Sequence, residues 1–176
     1  MPTGIPGAGP KAHPATLSDE ELLRDVQLRA VRRSGPGGQH RNKVETGIVL
    51  EHLPTGLRAE ASERRSQSAN RRVALFRLRL LLAVEYRWKD RPAGNSELWQ
   101  SRCRKGRLSV SRTHEDFPAL LAETLDRLSE LEFDVRQAAD LLQCRSSQLI
   151  RFLKLDSRAL AEINRIRVDR GQHRLK

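Results

Sequence analysis

The segment 66–88, "SQSANRRVALFRLRLLLAVEYRW", constrains the fold of this chain more than any other stretch. Its apolar residues recur at spacings of four and three, which is the period of an amphipathic α-helix: Ala69, Val73, Phe76, Leu80 and Ala83. A helix of this length must bury its apolar stripe against another element. The sequence therefore predicts a long helix that packs on the structure preceding it.

Strand patterns precede this helix. Alternation from Val26 to about Arg33 predicts a first strand, because apolar residues at every second position face one side of a sheet. The stretches "TGIVLEHL" and "LRAEAS" predict a hairpin, joined by a turn with Pro54 early and Gly56 late. Ser18 and the acids after it predict a short helix ahead of the first strand. Together these features predict a small antiparallel sheet with the long helix packed on it.

The remainder of the chain is predicted to be helical, which gives an α+β fold with an all-α C-terminal extension. Leu121, Leu125, Leu128 and Leu131 form one apolar stripe, and "FDVRQAADLLQCRSSQLIRFLK" matches a helix-turn-helix pattern. A last helix is expected to end near Arg170, before Gly171. We expect four regions: a disordered tail 1–16, a catalytic domain 17–90, a basic linker 91–113 and a helical domain 114–176.

Charge is the strongest compositional signal. The net charge of +11 and the isoelectric point near 10.9 indicate a polyanionic partner, with nucleic acid the first choice and an anionic membrane surface the second. Aromatic residues make up only 4% of the chain, so contact is expected with phosphates rather than with stacked bases. Two isolated cysteines, Cys103 and Cys144, suggest a reducing compartment. We expect a cytoplasmic protein without metal, cofactor or membrane partner.

The stretch "RRSGPGGQHRNK", residues 32–43, surrounds one glutamine with glycines and cations. The amide of Gln39 does not titrate, so it is not a general acid or base, but it can donate hydrogen bonds and orient a water. Gly37 and Gly38 permit φ > 0 and the close approach of another chain. Such a loop would contribute positioning and electrostatic stabilisation, with most of the active site supplied by a partner.

These residues resemble a known family. "SGPGGQHRNK", "HLPTG" and "ERRSQSANR" resemble the catalytic domain of class I peptide chain release factors and their ribosome-rescue relatives, over about residues 22–87. The resemblance implies ribosome-dependent hydrolysis of the ester between a nascent peptide and tRNA. The implied partners are peptidyl-tRNA and ribosomal RNA of the large subunit, at the peptidyl transferase centre.

The family's roles transfer to matching positions of this chain. Gly37 and Gly38 would shape the loop. The backbone N–H of Gln39 would stabilise the departing ribose oxygen, and its side chain would orient the water. Gln39 also matches the glutamine that the family commonly N-methylates. The resemblance assigns ribosomal RNA contacts to a basic set: Arg32, Arg33, His40, Arg41, Lys43, Arg64, Arg65, Arg71 and Arg72.

The sequence also departs from full release factors. About 36 residues precede the motif, so we expect no stop-codon-reading domain and a codon-independent, rescue-type role. Pro14-Ala15-Thr16 resembles a decoding tripeptide, but we interpret it as coincidence because it lies in the predicted disordered tail. A helical extension from about Pro118 replaces the basic flexible tail of short rescue factors.

Several alternatives stay open at this level. The helix-turn-helix pattern fits two packed helices without a ligand, an RNA contact, or a contact with a ribosome-associated protein. The chain as a whole could instead be a catalytically silent ribosome-binding or RNA-binding protein that retains the release-factor fold. A third hypothesis is a DNA-binding regulator that uses the C-terminal helices.

Overall fold

The structure is a computed structural model that describes residues 12–32, 46–89 and 91–176. In chain order it contains a short 3-10 helix Pro14–Thr16, α1 Asp19–Arg24, β1 Val26–Val31, β2 Gly47–His52, β3 Leu57–Ala61, α2 Gln67–Glu85, α3 Glu97–Arg102, β4 Cys103–Arg104, β5 Arg107–Leu108, α4 Phe117–Glu130, α5 Val135–Leu141, α6 Ser146–Leu153 and α7 Ser157–Asp169. Separate antiparallel strands and helices confirm the predicted α+β class.

The main sheet is antiparallel with strand order β1-β2-β3. Its central strand β2 buries Ile48 and Leu50, whereas β1 is an exposed edge. The predicted first strand and hairpin are confirmed, with β1 ending two residues before the predicted limit. Gly56 has φ +69°, which the hairpin turn needs, and its N–H donates to the carbonyl of His52.

The long helix α2 is present as predicted, but the predicted stripe does not mark its buried face. Ala74, Leu78 and Leu82 are fully buried, whereas four of the five stripe residues are only half-buried: Ala69, Val73, Phe76 and Leu80. Strands β2 and β3, helix α4 and the 3-10 helix all pack against α2. A helix that is covered from several directions buries a wide surface, so one stripe does not describe it.

The predicted disorder of residues 1–16 is wrong for its described part, residues 12–16, while 1–11 lie outside the described residues. Pro14 and Ala15 are buried in the 3-10 helix, which packs against α2 and α4. Arg79 donates to the carbonyl oxygen of Ala15 at 3.0 Å. Tertiary packing therefore orders a segment whose composition is typical of disorder.

The region predicted as a basic linker, 91–113, contains α3 and the small hairpin of β4 and β5. Trp99 of α3 is buried, and its Nε1 donates to the carbonyl oxygen of Leu142 at 2.8 Å. This bond anchors α3 to the turn between α5 and α6. The domain boundaries at residues 90 and 113 stay a prediction, but the region between them is a packed part of the fold.

The helical part follows the predicted pattern closely. α4 buries Leu121, Leu125 and Leu128, and the predicted helix-turn-helix positions are buried: Ala138, Ala139, Leu142, Cys144, Leu149 and Phe152. Gln143 takes φ +53° in the turn where glycine is usual. Within the described ranges, no helix is both long and apolar enough to cross a membrane.

Both cysteines are free. Burial raises the pKa of the Cys144 thiol to about 12, so this residue stays a neutral part of the apolar packing between α5 and α6. Burial also raises the pKa of the Cys103 thiol on β4. Both shifts favour the neutral thiol over the thiolate near neutral pH.

Candidate functional site

The sheet brings together the two ends of the glycine-glutamine motif. Residues 33–45 lie outside the described residues, and with them Arg33, Gly37, Gly38, Gln39, His40, Arg41 and Lys43. Val31 at the end of β1 pairs with Gly47 at the start of β2. The chain therefore leaves and re-enters the sheet at neighbouring positions, with Arg32 and Thr46 as its described flanks.

Gly47 permits this close pairing. A Cβ at this position would lie 2.8 Å from both the carbonyl oxygen and Cγ2 of Val31. Such contacts are shorter than van der Waals packing allows, and the carbonyl oxygen is part of the backbone and cannot rotate away. Glycine is thus required by the approach of β1 to β2 at the base of the motif.

Asn70 fixes the other side of this base. Its fully buried side chain donates from Nδ2 to the carbonyl oxygens of Thr46 at 2.6 Å and Arg64 at 2.9 Å. Its Oδ1 accepts from the backbone N–H of Arg64 at 2.8 Å. One amide therefore joins the motif's end, the β3–α2 connection and the first turn of α2.

Sequence reasoning gave Asn70 no role. In the sequence it is one letter of "ERRSQSANR", a stretch that carries the family resemblance. A usable signal exists, because asparagine is a poor residue for a helix interior unless its side chain bonds to the backbone nearby.

The start of α2 carries four predicted RNA-contacting cations: Arg64, Arg65, Arg71 and Arg72. All are exposed, and none pairs with an acid among the residues that the structure describes. Ser66 caps the helix by accepting from the N–H of Ala69, and no acid lies in the first turn. Cations at the positive end of a helix dipole are unfavourable, so this arrangement favours a bound anion.

Two other arginines of α2 contrast with this set. Arg77 pairs with Glu63 at 2.6 Å, and Arg79 pairs with Asp19 at 2.7 Å. Positive charge is thus neutralised along the middle of the helix and left unpaired, among the described residues, at the end that adjoins the motif.

The structure separates one member of the predicted set from the others. Arg64 lies at the motif's base, through the hydrogen bonds between its backbone and Asn70. Arg72 instead lines a cleft of about 340 Å³ together with Asp19, Glu115 and Asp116. A cleft with several carboxylates suits a nucleic-acid phosphate poorly. Arg72 is therefore the weakest candidate of the four for a phosphate contact.

The "HLPTG" stretch builds the hairpin turn. The His52 Nδ1 and Thr55 Oγ1 atoms lie 2.8 Å apart, and Thr55 Oγ1 accepts from the N–H of Leu57. Burial lowers the pKa of His52, which keeps the ring neutral near neutral pH. The motif residues in this stretch therefore hold the sheet in shape.

A second cluster of ionisable groups lies beyond the far end of α2, about 28 Å along the helix from its first residue. It borders a cavity of about 280 Å³ lined by His13, Arg91, Glu123 and Asp126, among others. Burial raises the pKa of Asp126 to about 7, although Arg87 and Arg91 oppose this shift. Burial lowers the pKa of His13 to about 4. Sequence reasoning missed this cluster, whose members are far apart in the chain.

Comparison with known proteins covers this site and its scaffold. The RF-1 domain family model matches residues 20–117. Peptide chain release factor PrfB1, chloroplastic, of Arabidopsis thaliana is 45% identical over 60 residues, which are 34% of this chain and 13% of that protein. Peptide chain release factor 1 of Xylella fastidiosa is 48% identical over 58 residues, 33% of this chain and 16% of that protein.

A mitochondrial relative gives a longer match. Peptide chain release factor 1, mitochondrial, of Bos taurus is 35% identical over 79 residues, 45% of this chain and 18% of that protein. The chain thus spans less than a fifth of the length of these relatives. Since the family model matches more than half of the chain, including the motif and the strands and helix at its base, the chain belongs to the RF-1 domain family of class I peptide chain release factors.

Proposed function

We propose that this protein hydrolyses the ester of peptidyl-tRNA on the large ribosomal subunit. The observation that carries the proposal is the family match across residues 20–117, which includes Gly37-Gly38-Gln39 and the scaffold that brings the ends of its loop together. A water attacks the peptide carbonyl carbon, the bond to the ribose oxygen breaks, and a proton ends on that oxygen. Gln39 orients the water through its side chain and stabilises the departing oxygen through its backbone N–H.

Ribosomal RNA is the proposed partner of the cations around the motif. Arg64, Arg65 and Arg71 adjoin the base of the loop and have no acidic partner among the described residues. RNA phosphates would offset both their charge and the positive end of α2. The described Arg32 and the cations within 33–45 extend the same proposed contact. The proposal also includes action in the cytoplasm and methylation of Gln39.

We further propose that release is codon-independent, as in ribosome rescue. The tripeptide that resembles a decoding motif, Pro14-Ala15-Thr16, buries its first two residues against α2 and α4. Thr16 is exposed, but the burial of Pro14 and Ala15 fixes the tripeptide within the fold, which supports the interpretation as coincidence. Pro14–Thr16 pack against α2, the helix that also supports the base of the motif, so this segment acts as a structural element.

The test is release of labelled peptide from peptidyl-tRNA. Substrates are ribosomes stalled on truncated mRNA, ribosomes with a sense or a stop codon in the A site, and isolated large subunits. The wild type is expected to release peptide without needing a stop codon, and Gln39→Ala is expected to lower the rate at least about 100-fold. Gln172→Ala is a matched control, because "GQHR" recurs at residues 171–174 and the Gln172 side chain donates to the Glu132 carbonyl oxygen, within the helical part of the chain.

The outcomes separate the two candidate functions. Release that requires Gln39 on any substrate supports the hydrolase, and a strict stop-codon requirement contradicts codon independence. Ribosome binding without release on every substrate contradicts the hydrolase. That result would favour the catalytically silent RNA-binding protein, which the unpaired cations at the start of α2 also fit.

A further inference from the structure

A second surface with unneutralised positive charge lies outside the motif region. It consists of the β4–β5 hairpin and α6, and we name it the hairpin–α6 face. Six exposed cations define it: Arg104, Lys105, Arg107, Arg145, Arg151 and Lys154. None of them pairs with an acid in the described part of the chain. Neighbouring α7 differs, because its Arg165 pairs with both Glu162 and Asp169.

The fold brings the cations of the hairpin next to Arg145 and Arg151. Arg104 pairs with Arg107 across a two-residue turn in which Lys105 and Gly106 both take positive φ. The carbonyl oxygen of Gly106 accepts from the N–H of Arg145, the residue that precedes α6, at 3.2 Å. Hairpin and helix therefore concentrate like charges, which destabilises the fold unless an anion offsets the repulsion.

Neutral hydrogen-bonding groups lie beside the cations. A cleft of about 590 Å³ is lined by Arg107 and Arg151 together with Ser109, Ser111 and Gln148. Arginine guanidinium groups match phosphate oxygens, and hydroxyl and amide groups can bond to ribose 2′-hydroxyls. The cleft therefore offers the two kinds of contact that an RNA backbone presents.

We propose that the hairpin–α6 face binds the phosphate backbone of double-stranded RNA. Base stacking on this face is disfavoured, because its nearby aromatic residues Trp99 and Phe152 are buried, and this argues against single strands. The hairpin bonds to the chain at the first turn of α6, which argues against insertion of that turn into a DNA major groove.

A protein partner is the less suitable occupant of this face. Interfaces between proteins usually have an apolar centre with few charges. Among the described residues the large apolar side chains that are exposed are Leu28, Leu53, Leu141 and Val168, and only Leu141 lies in the α5–α6 region next to the hairpin. The contact with a ribosome-associated protein that the sequence left open is therefore not favoured here.

The test uses the full chain and a fluorescent RNA duplex of about 20 base pairs, with binding followed by anisotropy at several salt concentrations. The triple variant Arg107→Gln/Arg145→Gln/Arg151→Gln is expected to lower the slope of log K against log salt by about 2 to 3, and affinity at 0.1 M salt on the order of 100-fold. A lysine version of the same triple variant should keep the wild-type slope. Circular dichroism establishes that each variant is folded.

A matched control removes the same charge elsewhere. Arg58→Gln/Arg165→Gln/Arg170→Gln changes exposed arginines that pair with acids, and it should leave the slope near the wild-type value. The proposal is overturned by a hairpin–α6 variant that binds like this control, or by equal binding of a DNA duplex or of single-stranded RNA. Gln39→Ala should bind the duplex like the wild type, so this result is separate from peptide release.

Discussion

At the scale of single residues, the amide of Asn70 and the carboxyl of Asp126 show opposite uses of a buried polar group. Asn70 satisfies three backbone groups at the base of the motif. Asp126 accepts from the N–H of Trp88 at 3.1 Å, but burial disfavours the charged form of its carboxyl group and raises its pKa. The first group ties Thr46 to α2 at one end of the motif, and the second makes stability depend on pH.

Asn70→Ala is expected to lower the free energy of unfolding by about 2 to 4 kcal/mol, because buried backbone groups of Thr46 and Arg64 lose their partner. It should also slow peptide release more than it weakens ribosome binding, since it frees one end of the loop. Ser68→Ala is the control in the same turn, because Ser68 is exposed. Chemical denaturation and release assays measure both effects, and an unchanged release rate in folded Asn70→Ala would refute the positioning role.

A pH prediction follows from Asp126 and His13. The folded-state pKa of Asp126 is raised from 3.8 to about 7, so its stabilising protonation is complete below pH 4 and is lost as the pH rises through 7. The folded-state pKa of His13 is lowered from 6.5 to about 4, so its contribution is complete above pH 6.5 and is lost as the pH falls through 4. The two effects oppose each other between about pH 4 and 6.5.

Asp126→Asn should therefore remove only the first effect. Relative to this variant, the wild type should gain about 3 kcal/mol of unfolding free energy as the pH falls from 8 to 4. His13→Gln should show the reverse difference against the wild type over pH 6.5 to 4. Urea unfolding at several pH values measures both differences. Parallel pH curves for the wild type and Asp126→Asn would show that this carboxyl does not titrate as described.

At the scale of elements, the pairing of β1 with β2 decides where the motif begins and ends. The register places Val31 opposite Gly47, and this is the last pair that the β1–β2 ladder makes before the chain reaches Arg32. Because a Cβ at position 47 would clash with Val31, this register requires glycine there. An element that is otherwise an exposed edge is thereby fixed at the end that adjoins the motif.

Gly47→Ala is expected to destabilise the protein by about 1 to 3 kcal/mol, because the new Cβ meets the backbone oxygen of Val31. Adding Val31→Ala should restore only part of this loss, since the oxygen stays. Gly94→Ala is the comparison, because it has open space and only the strain of φ +88°. Thermal unfolding measures the loss of stability in each variant. Equal losses of stability in Gly47→Ala and Gly94→Ala would contradict the crowding argument.

At the scale of the whole molecule, the apolar core does not divide at the predicted domain boundary. Helix α2 of the predicted catalytic domain packs against α4 of the predicted helical domain, and the 3-10 helix packs on both. Buried residues from both parts belong to one continuous cluster. Domains that fold alone need a core of their own, so we expect the two parts to depend on each other.

A chain that ends at residue 113 should therefore fail to unfold cooperatively, because the surface of α2 that α4 covers would be exposed to water. The measurement is a urea titration followed by circular dichroism, with the full chain as the reference. Cooperative unfolding of the shortened chain would instead establish the predicted boundary. Restoration of folding by added residues 114–176 would show that the loss arises from the missing contact.

Local sequence determined most of the elements of this protein. Alternation, capping residues and turn glycines are read from a few neighbouring residues, so the sheet, the hairpin turn and the helix-turn-helix were predictable. The motif was recognisable for the same reason, since its residues follow one another in the chain. The roles given to those motif residues that lie outside the described ranges stay predictions.

Only the tertiary structure decided what depends on residues distant in sequence. The buried face of α2 differs from the predicted stripe, because several elements cover that helix. Pro14–Thr16 form a 3-10 helix that is packed in the fold, and Asn70 bonds to Thr46. Cations of the hairpin and of α6 lie on one surface. Burial and long-range contact have no local signature, so these features become visible only when the chain is folded.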